Sequence, residues 1–169
     1  RGVTISQGYG LTECGPNNFA MPEGFPRERT DTIGVPGLFV DARVVDDDGQ
    51  ELPPGEIGEL ELASPHAGDR YWHNETETAE AFGDWVSTGD LASVDEAGYF
   101  SIEGRKKNMF VSGGANVFPP EVENAITDHP AVDEAVLVPV PDDQWGGVGT
   151  AVVESDDPPQ LSELRGFLG

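Results

Sequence analysis

Residues 85–123 read WVSTGDLASVDEAGYFSIEGRKKNMFVSGGANVFPPEVE, and the interpretation of the whole chain starts from them. The segment contains both lysines of a chain that has 32 acidic residues, and Arg105 precedes them directly. A solvated turn that carries the few cations is one explanation for this basic run at residues 105–107. The order of the neighbouring residues favours a binding site instead, because Asp90 and Arg105 flank a predicted pair of short strands.

The first strand of this pair is predicted from Trp85 to a turn at Asp90, and the return strand is predicted over residues 99–103. Gly89 permits a close approach of the backbone to a ligand. The carboxylate of Asp90 can accept hydrogen bonds from two adjacent hydroxyl groups, which is what a ribose offers. A turn-capping aspartate is the alternative. Ile102, within the return strand, is interpreted as a core residue.

A second candidate binding segment is GYGLTE at residues 8–13, which follows a β-prone stretch at residues 3–7. The pattern predicts a turn in which Gly8 and Gly10 flank Tyr9. Two glycines allow the backbone to pass close to a ligand, and a tyrosine between them offers a flat face for stacking. A tyrosine corner in an ordinary β-turn is the alternative.

Thr12 and Glu13 end this segment with a hydroxyl group next to a carboxylate. That combination suits a phosphate oxygen and Mg²⁺, because Mg²⁺ takes one or two carboxylates and completes its shell with water and phosphate. His66 and His73 lie seven residues apart with no third ligand in view, so we do not expect them to bind a metal. Cys14 is the single cysteine, which excludes an intrachain disulfide.

Periodicity predicts strands first and helices later. Residues 14–36 are interpreted as a loop because they are rich in Pro and Gly, and alternation from Val40 onwards predicts a series of β-hairpins. Asn74, with Glu77 three residues later, predicts the start of a short helix. Beyond the basic run, the pattern predicts the order strand, helix, strand, strand and helix. The first helix is predicted to begin at Pro119 and Pro120. The two strands after it are predicted over residues 135–140 and 150–153, and the last helix is predicted to carry Leu161, Leu164 and Leu168.

The two motifs together, G-Y-G-x-T-E and D-x-x-G-Y-F-x-I-x-G-R, resemble the adenylate-forming (AMP-binding) superfamily of acyl-CoA synthetases, firefly-type luciferases and peptide-synthetase adenylation domains. The resemblance implies a mixed α/β fold. Residues 1–104 would form the C-terminal, β-rich and barrel-like part of a large AMP-binding domain. Residues 105–169 would form the hinge and an incomplete, small α/β mobile domain.

The resemblance also implies roles for the polar residues of the first domain. Tyr9 would lie against adenine, Thr12 would contact the α-phosphate and Glu13 would hold Mg²⁺. Asp90 would bind the ribose hydroxyls, and Arg105 the ribose and phosphate side. Gly8 and Gly10 complete the predicted ATP site, and Gly8 would also line the acyl pocket.

In the second domain, the resemblance makes Lys107 the hinge about which the small domain rotates, and a candidate catalytic residue together with Thr12 and Glu13. The glycine-rich loop Ser112, Gly113 and Gly114 would line the channel for the pantetheine arm of coenzyme A, with a plain β-turn as the alternative. Two departures from the family pattern concern this domain: Ala115 stands where many relatives have Glu, and Gly147 replaces the Glu of Trp-Gly-Glu.

The implied reaction joins a carboxylic acid to a thiol. ATP and the acid would give an acyl-adenylate and pyrophosphate, and coenzyme A would then displace AMP. The string GRKKNMFVSGGANVFPPEVE is most similar to fatty-acid or aryl-acid CoA ligases. The alternatives are a peptide-synthetase adenylation domain and a non-catalytic nucleotide-binding remnant. Because the phosphate-binding loop and the distal lysine of the family do not occur in these residues, we expect a C-terminal piece that is inactive alone.

The formal net charge of −23 bears on partners and location. Such an excess of negative charge repels nucleic acids and anionic membranes, and no apolar run approaches the ~18 residues of a membrane span. Acidic residues spread along the whole chain are typical of a salt-rich cytoplasm, where the screening length shrinks to about 3 Å at 1 M salt. An ordinary acidic protein is the alternative, and the oligomeric state stays open.

Overall fold

The computed structural model describes residues 7–168. The β-prone stretch predicted at residues 3–7 therefore lies, apart from Gln7, outside the described residues. The chain divides into two compact units, and the second unit begins at Lys107. The predicted domain limits, residues 1–104 and 105–169, stay a prediction.

The first unit is made of antiparallel strands in two sheets. The smaller sheet has the order β1-β2-β3 and the larger sheet has the order β4-β5-β6-β7. A bridge between Gly34 and Phe100 joins them. The strands are β1 Gly8–Leu11, β2 Gly15–Ala20, β3 Val35–Pro36, β4 Asp41–Val45, β5 Gly58–Ala63, β6 Val86–Val94 and β7 Phe100–Arg105.

The core of this unit follows from alternation in the central strands. In β5, with sequence GELELA, Leu60 and Leu62 are completely buried, while Glu59 and Glu61, which alternate with them, face the other side of the sheet. The ring of Phe19 is also fully buried and lies 5.1 Å from the ring of Phe100. The mixed α/β class and the strand-rich first part are confirmed, and a barrel-like closure stays a prediction.

Two local predictions for the start of the chain are wrong. Residues 8–11 form strand β1 instead of a turn, and residues 15–20 form strand β2 inside the predicted loop. The composition GPNNFA has a low β-propensity, but Phe19 pairs with Tyr9 across the two strands and anchors β2 in the core. Burial of one aromatic residue outweighs the preference of its polar neighbours.

The predicted turn at Asp90 is also absent, because β6 continues through this residue to Val94. The predicted helix is present as α1, Glu75–Ala81. The side chain of Asn74 accepts a hydrogen bond from the amide of Glu77 at 3.3 Å, as an N-cap residue does. A short 3₁₀ turn covers Arg27–Arg29.

The second unit begins within a 3₁₀ turn at Lys106–Asn108 and follows the predicted order, except that a two-stranded hairpin stands in place of the single first strand. A small hairpin precedes a helix, a long hairpin and a last helix. Ile126 of the first helix is buried, and Nε2 of His129 lies 3.9 Å from Oε1 of Glu163. The elements are β8 Phe110–Ser112, β9 Ala115–Val117, α2 Pro119–Thr127, β10 Glu134–Asp142, β11 Gly146–Glu154 and α3 Leu161–Leu168.

None of the helices between residues 7 and 168 has the length and apolar character needed to cross a membrane.

Candidate functional site

Strands β6 and β7 place Asp90 and Arg105 directly opposite each other. The Nε of Arg105 lies 2.7 Å from Oδ1 of Asp90, and the Nη1 of Arg105 donates to the carbonyl oxygen of Thr88 at 3.2 Å. The Asp90 side chain is 7% exposed and that of Arg105 is 51% exposed. The pair therefore joins a buried carboxylate to a guanidinium group that reaches the surface.

A bulge in β6 presents Asp90 in this position. Glu59 of β5 pairs with Leu91 and Glu61 pairs with Ser87, so a single β5 residue faces residues 88–90. Gly89 adopts a φ of +71°, which glycine permits at little cost. The hydroxyl group of Thr88 accepts from the amide of Asp90 at 3.1 Å, and it donates to the carbonyl oxygen of Leu60 at 2.8 Å. Bulges commonly redirect side chains next to functional sites.

Tyr9 joins the pair from strand β1. Its hydroxyl group donates to Oδ2 of Asp90 at 2.5 Å, although the two residues are 81 positions apart. Burial, with the hydrogen bond to Asp90 as the second cause, raises the pKa of Tyr9 well above its usual value. Three residues predicted to contact a nucleotide, Tyr9, Asp90 and Arg105, thus form one connected cluster.

The glycines beside Tyr9 are needed for close packing of β1 on its neighbour. A Cβ atom on Gly10 would lie 2.7 Å from the carbonyl oxygen of Gly15, and one on Gly8 would lie 3.2 Å from that of Phe19. Both contacts are with the backbone of β2, so the glycines permit a close approach between strands. Residues 8–12 and 15–17 line an open cleft of about 600 Å³.

Glu13 lies in the turn after β1, and a tyrosine holds it there. The hydroxyl group of Tyr71 donates to Oε1 of Glu13 at 2.5 Å. This hydrogen bond, followed by burial, raises the pKa of Tyr71 to about 12. The side chain of Thr12, the neighbouring candidate, is exposed to solvent at the cleft.

The carboxylate of Glu13 fits a Mg²⁺ ion that takes its other ligands from water and phosphate. Across residues 7–168, no three His, Cys, Asp or Glu side chains come together as a metal cluster. Mg²⁺ is commonly held by one or two carboxylates, with water and nucleotide phosphate completing its shell. His66 instead contacts Oδ1 of Asn18, and the ring of His73 packs against Trp72.

The acceptor atoms of Asp90 also leave room for a ribose. A carboxylate offers about four lone-pair positions, and two are used by Tyr9 and Arg105. The remaining positions can accept from two adjacent hydroxyl groups. The cluster is therefore chemically able to bind the sugar of a nucleotide, with the guanidinium group of Arg105 available to its phosphates.

Lys106, the residue after Arg105, is held by two carboxylates of the first unit. Its Nζ lies 2.9 Å from Oε2 of Glu59 and 3.0 Å from Oδ1 of Asp47. The hydrogen bond to Glu59 is the main cause that raises the pKa of Lys106. The sequence interpretation assigned no role to Glu59, because an acidic residue alternating with buried leucines is typical of a solvent-facing strand position.

The predicted residues of the second unit lie in two places. Lys107 is exposed at the start of the unit. Ser112, Gly113 and Gly114 belong to the β8–β9 hairpin, whose two glycines have φ values of 59° and 88°, as a two-residue hairpin turn requires. The ring of Trp145 covers Gly113 so closely that a Cβ atom there would approach it to 2.6 Å.

Sequence reasoning missed the residues that hold these side chains in place. The sequence analysis assigned no role to Tyr71 or to Thr88. Both act through tertiary hydrogen bonds, to Glu13 and to Leu60. The only sequence signal for Thr88 was its position two residues before Asp90.

Two family models match the chain. The model of the AMP-binding enzyme matches residues 1–72, and that of the AMP-binding enzyme C-terminal domain matches residues 121–168. Between these segments lie β6 and β7, which carry Asp90 and Arg105.

Individual relatives match over almost the whole chain. A feruloyl-CoA synthase of Amycolatopsis is 40% identical over 99% of this chain and 35% of its own length. A fatty acid–[acyl-carrier-protein] ligase of Streptomyces coeruleorubidus is 41% identical over 97% of this chain and 33% of its own. The chain thus spans about a third of the length of the curated relatives it matches.

A solved structure also matches almost the whole chain. The o-succinylbenzoate CoA synthetase of Bacillus subtilis, in complex with its acyl-adenylate intermediate, superposes with a TM-score of 0.90 at 31% identity. The match covers 96% of this chain and 34% of that protein. Fold, sequence and the order of the motifs lead to the same assignment: the chain belongs to the AMP-binding family of adenylate-forming enzymes.

Proposed function

We propose that this chain is the nucleotide-binding and hinge portion of an acid–thiol ligase that uses ATP and releases AMP. The whole protein would activate a carboxylic acid as its acyl-adenylate and transfer the acyl group to the thiol of coenzyme A. The observation that carries the proposal is the cluster of Tyr9, Asp90 and Arg105, because it joins the motifs of distant segments into a ribose-binding arrangement.

The residues of the first unit would act by binding and orientation. Asp90 would accept the ribose hydroxyls, and Arg105 would contact the ribose and the phosphate side. Tyr9 would lie against the adenine ring, Gly8 and Gly10 would complete the ATP site, and Gly8 would line the acyl pocket. Thr12 would contact the α-phosphate, and its exposure at the cleft supports this role.

Glu13 would hold Mg²⁺, with its carboxylate oriented by Tyr71. The metal ion would supply neutralisation of phosphate charge, which favours displacement of pyrophosphate. The chain's own contribution is position and electrostatics, since oriented groups in a fixed geometry lower the barrier without a covalent protein intermediate.

In the second unit, Lys107 would be the hinge, and Ser112, Gly113 and Gly114 would line the coenzyme A channel. The start of the compact second unit at Lys107 supports the hinge, because hinges lie at element ends where few residues absorb a backbone change. The second candidate acceptor is the thiol of a carrier protein, which peptide synthetases also use. It is included because one relative is a fatty acid–[acyl-carrier-protein] ligase. We further infer a salt-rich cytoplasm as the location, on the net charge of −23.

The first test concerns nucleotide binding in the full-length protein. Asp90→Asn removes the negative charge that pairs with Arg105 and would accept the ribose hydroxyls. We therefore expect the AMP affinity measured by calorimetry to fall at least about tenfold, as for the loss of a hydrogen bond to a charged group. Asp48→Asn is the control, because it makes the same change at an exposed position of the turn before β5. Equal affinities in the two variants would contradict the assignment of Asp90.

The second test separates an enzyme from a nucleotide-binding remnant. Exchange of labelled pyrophosphate into ATP is measured with a panel of fatty and aryl carboxylic acids and with Mg²⁺ present or chelated. The proposal predicts exchange that requires both an acid and Mg²⁺. AMP binding without exchange for any acid would favour the remnant. If exchange is found, acyl transfer to coenzyme A and to a carrier protein is then compared.

A further inference from the structure

A single carboxylate brackets the Asp90–Arg105 pair. Oε1 of Glu59 accepts from the amide of Gly89 at 3.3 Å, and Oε2 accepts from Nζ of Lys106 at 2.9 Å. Gly89 immediately precedes Asp90 in β6, and Lys106 immediately follows Arg105 after β7. The side chain of Glu59 therefore bonds both residues that flank the pair, from the neighbouring strand β5.

The bulge explains why a side chain is needed at this place. Where three residues of β6 face one residue of β5, the regular ladder cannot pair every amide of the bulge. Side chains take over, since Thr88 accepts from the amide of Asp90 and Glu59 accepts from the amide of Gly89. Glu59 is thus part of the structure that turns Asp90 towards Tyr9 and Arg105.

Burial makes the charges of Glu59 and Lys106 depend on each other. The side chain of Glu59 is 15% exposed, so its negative charge depends on a partner. Lys106, 41% exposed, supplies that partner and also contacts the exposed Asp47. Removing Lys106 would leave Glu59 with its charge poorly compensated, and removing the charge of Glu59 would release the end of β7.

We propose that Glu59, together with Lys106, is a positioning residue that sets the geometry of the Asp90–Arg105 pair for the two hydroxyl groups of a ribose. The inference rests on the proposed nucleotide site and adds to it the residue that controls its sugar selectivity. Glu59 does not itself touch the nucleotide. Its effect is transmitted through the two backbone neighbours of the pair.

The test measures selectivity for the ribose hydroxyls in the full-length protein. AMP and its analogue lacking both ribose hydroxyls are titrated by calorimetry into wild type and Glu59→Gln. The wild type should prefer AMP by roughly tenfold or more, as expected when hydroxyls bond a charged carboxylate. Glu59→Gln should reduce this ratio at least about threefold, because a displaced Asp90 binds both hydroxyls less well.

Glu61→Gln is the matched control on the same strand. It makes the same chemical change and weakens the comparable ion pair of Glu61 with Arg43, which is 2.6 Å long, but it leaves the neighbours of Asp90 and Arg105 untouched. The control should keep the wild-type ratio. An equal fall of the ratio in both variants would show that the effect does not depend on the contacts of Glu59 with Gly89 and Lys106, which would overturn the positioning role.

Lys106→Met and Lys106→Arg provide a second, independent comparison if Glu59→Gln folds poorly. Lys106→Met should lower the AMP preference, and Lys106→Arg should restore it because a cation is again present for Glu59. A preserved preference in both Glu59→Gln and Lys106→Met overturns the inference while leaving the proposed function intact. Wild-type protein that binds AMP and its analogue equally, or binds neither, overturns the proposed ribose site and the inference together.

Discussion

Tyrosine hydroxyl groups hold both carboxylates to which we assign nucleotide chemistry. Tyr9 donates to Asp90 and Tyr71 donates to Glu13, each at 2.5 Å. A neutral donor fixes the orientation of a carboxylate without cancelling its charge, so Asp90 keeps its charge for the ion pair with Arg105 and Glu13 keeps its charge for a cation. Motif spacing predicted Asp90 and Glu13, whereas these donors depend on how distant strands pack, which spacing does not encode.

Tyr71 should leave a measurable signature at alkaline pH. Its pKa is raised to about 12, mainly by the hydrogen bond to Glu13. The folded state therefore holds this proton more tightly than the unfolded state, whose tyrosine titrates near 10. The stabilisation is complete below about pH 10 and is lost as the pH rises towards about 12.

The measurement is a titration of tyrosinate absorbance, with circular dichroism followed in parallel. In Tyr71→Phe we expect a smaller high-pH ionisation phase and a free energy of unfolding that depends less on pH over this range. Tyr99→Phe serves as the control, because it removes a tyrosine but keeps the Tyr71–Glu13 hydrogen bond. An unchanged high-pH phase in Tyr71→Phe would refute the assignment.

Among the elements, helices and alternating strands could be predicted from sequence, because local signals and tertiary packing agree there. The cap at Asn74 and the prolines at the start of α2 are examples. Strand β2 could not, since its polar residues favour a turn and its two buried anchors, Asn18 and Phe19, depend on tertiary contacts. The continuation of β6 through Asp90 was missed because Gly89 indicates a turn unless the partner strand is known.

The short helix α1 should depend strongly on its cap. It has only seven residues, which is too few for a stable isolated helix, and Asn74 supplies the acceptor for the amide of Glu77. Asn74→Ala should lower the free energy of unfolding in urea by about 0.5–2 kcal/mol. The exposed Asn124→Ala, within α2, should change it little, because alanine favours a helix interior. Equal effects of the two changes would show that the cap contributes little.

At the scale of the whole chain, the dominant feature is repulsion among 32 acidic residues with nine cations. Several of the cations are already committed to ion pairs, such as Arg43 with Glu61 and Arg105 with Asp90. Salt weakens those surface pairs as well as the repulsion, but the acidic excess makes the repulsion the larger effect.

Added salt should therefore stabilise the protein. In dilute buffer we expect partial loss of the circular dichroism signal, with recovery towards about 1 M salt, where the screening length is about 3 Å. Sodium and potassium chloride are compared at equal ionic strength, so that screening is separated from binding of one particular cation. A signal that stays constant down to low salt would exclude salt dependence of the fold.

The pairing of Lys106 with two carboxylates has a practical consequence for labelling chemistry. The chain has only two lysines, and the hydrogen bond to Glu59 raises the pKa of Lys106 above its usual value. A protonated ammonium group is a poor nucleophile, and Lys107 beside it is exposed. Among the side chains of this chain, an amine-reactive fluorophore is thus directed to Lys107, which marks the first residue of the second unit.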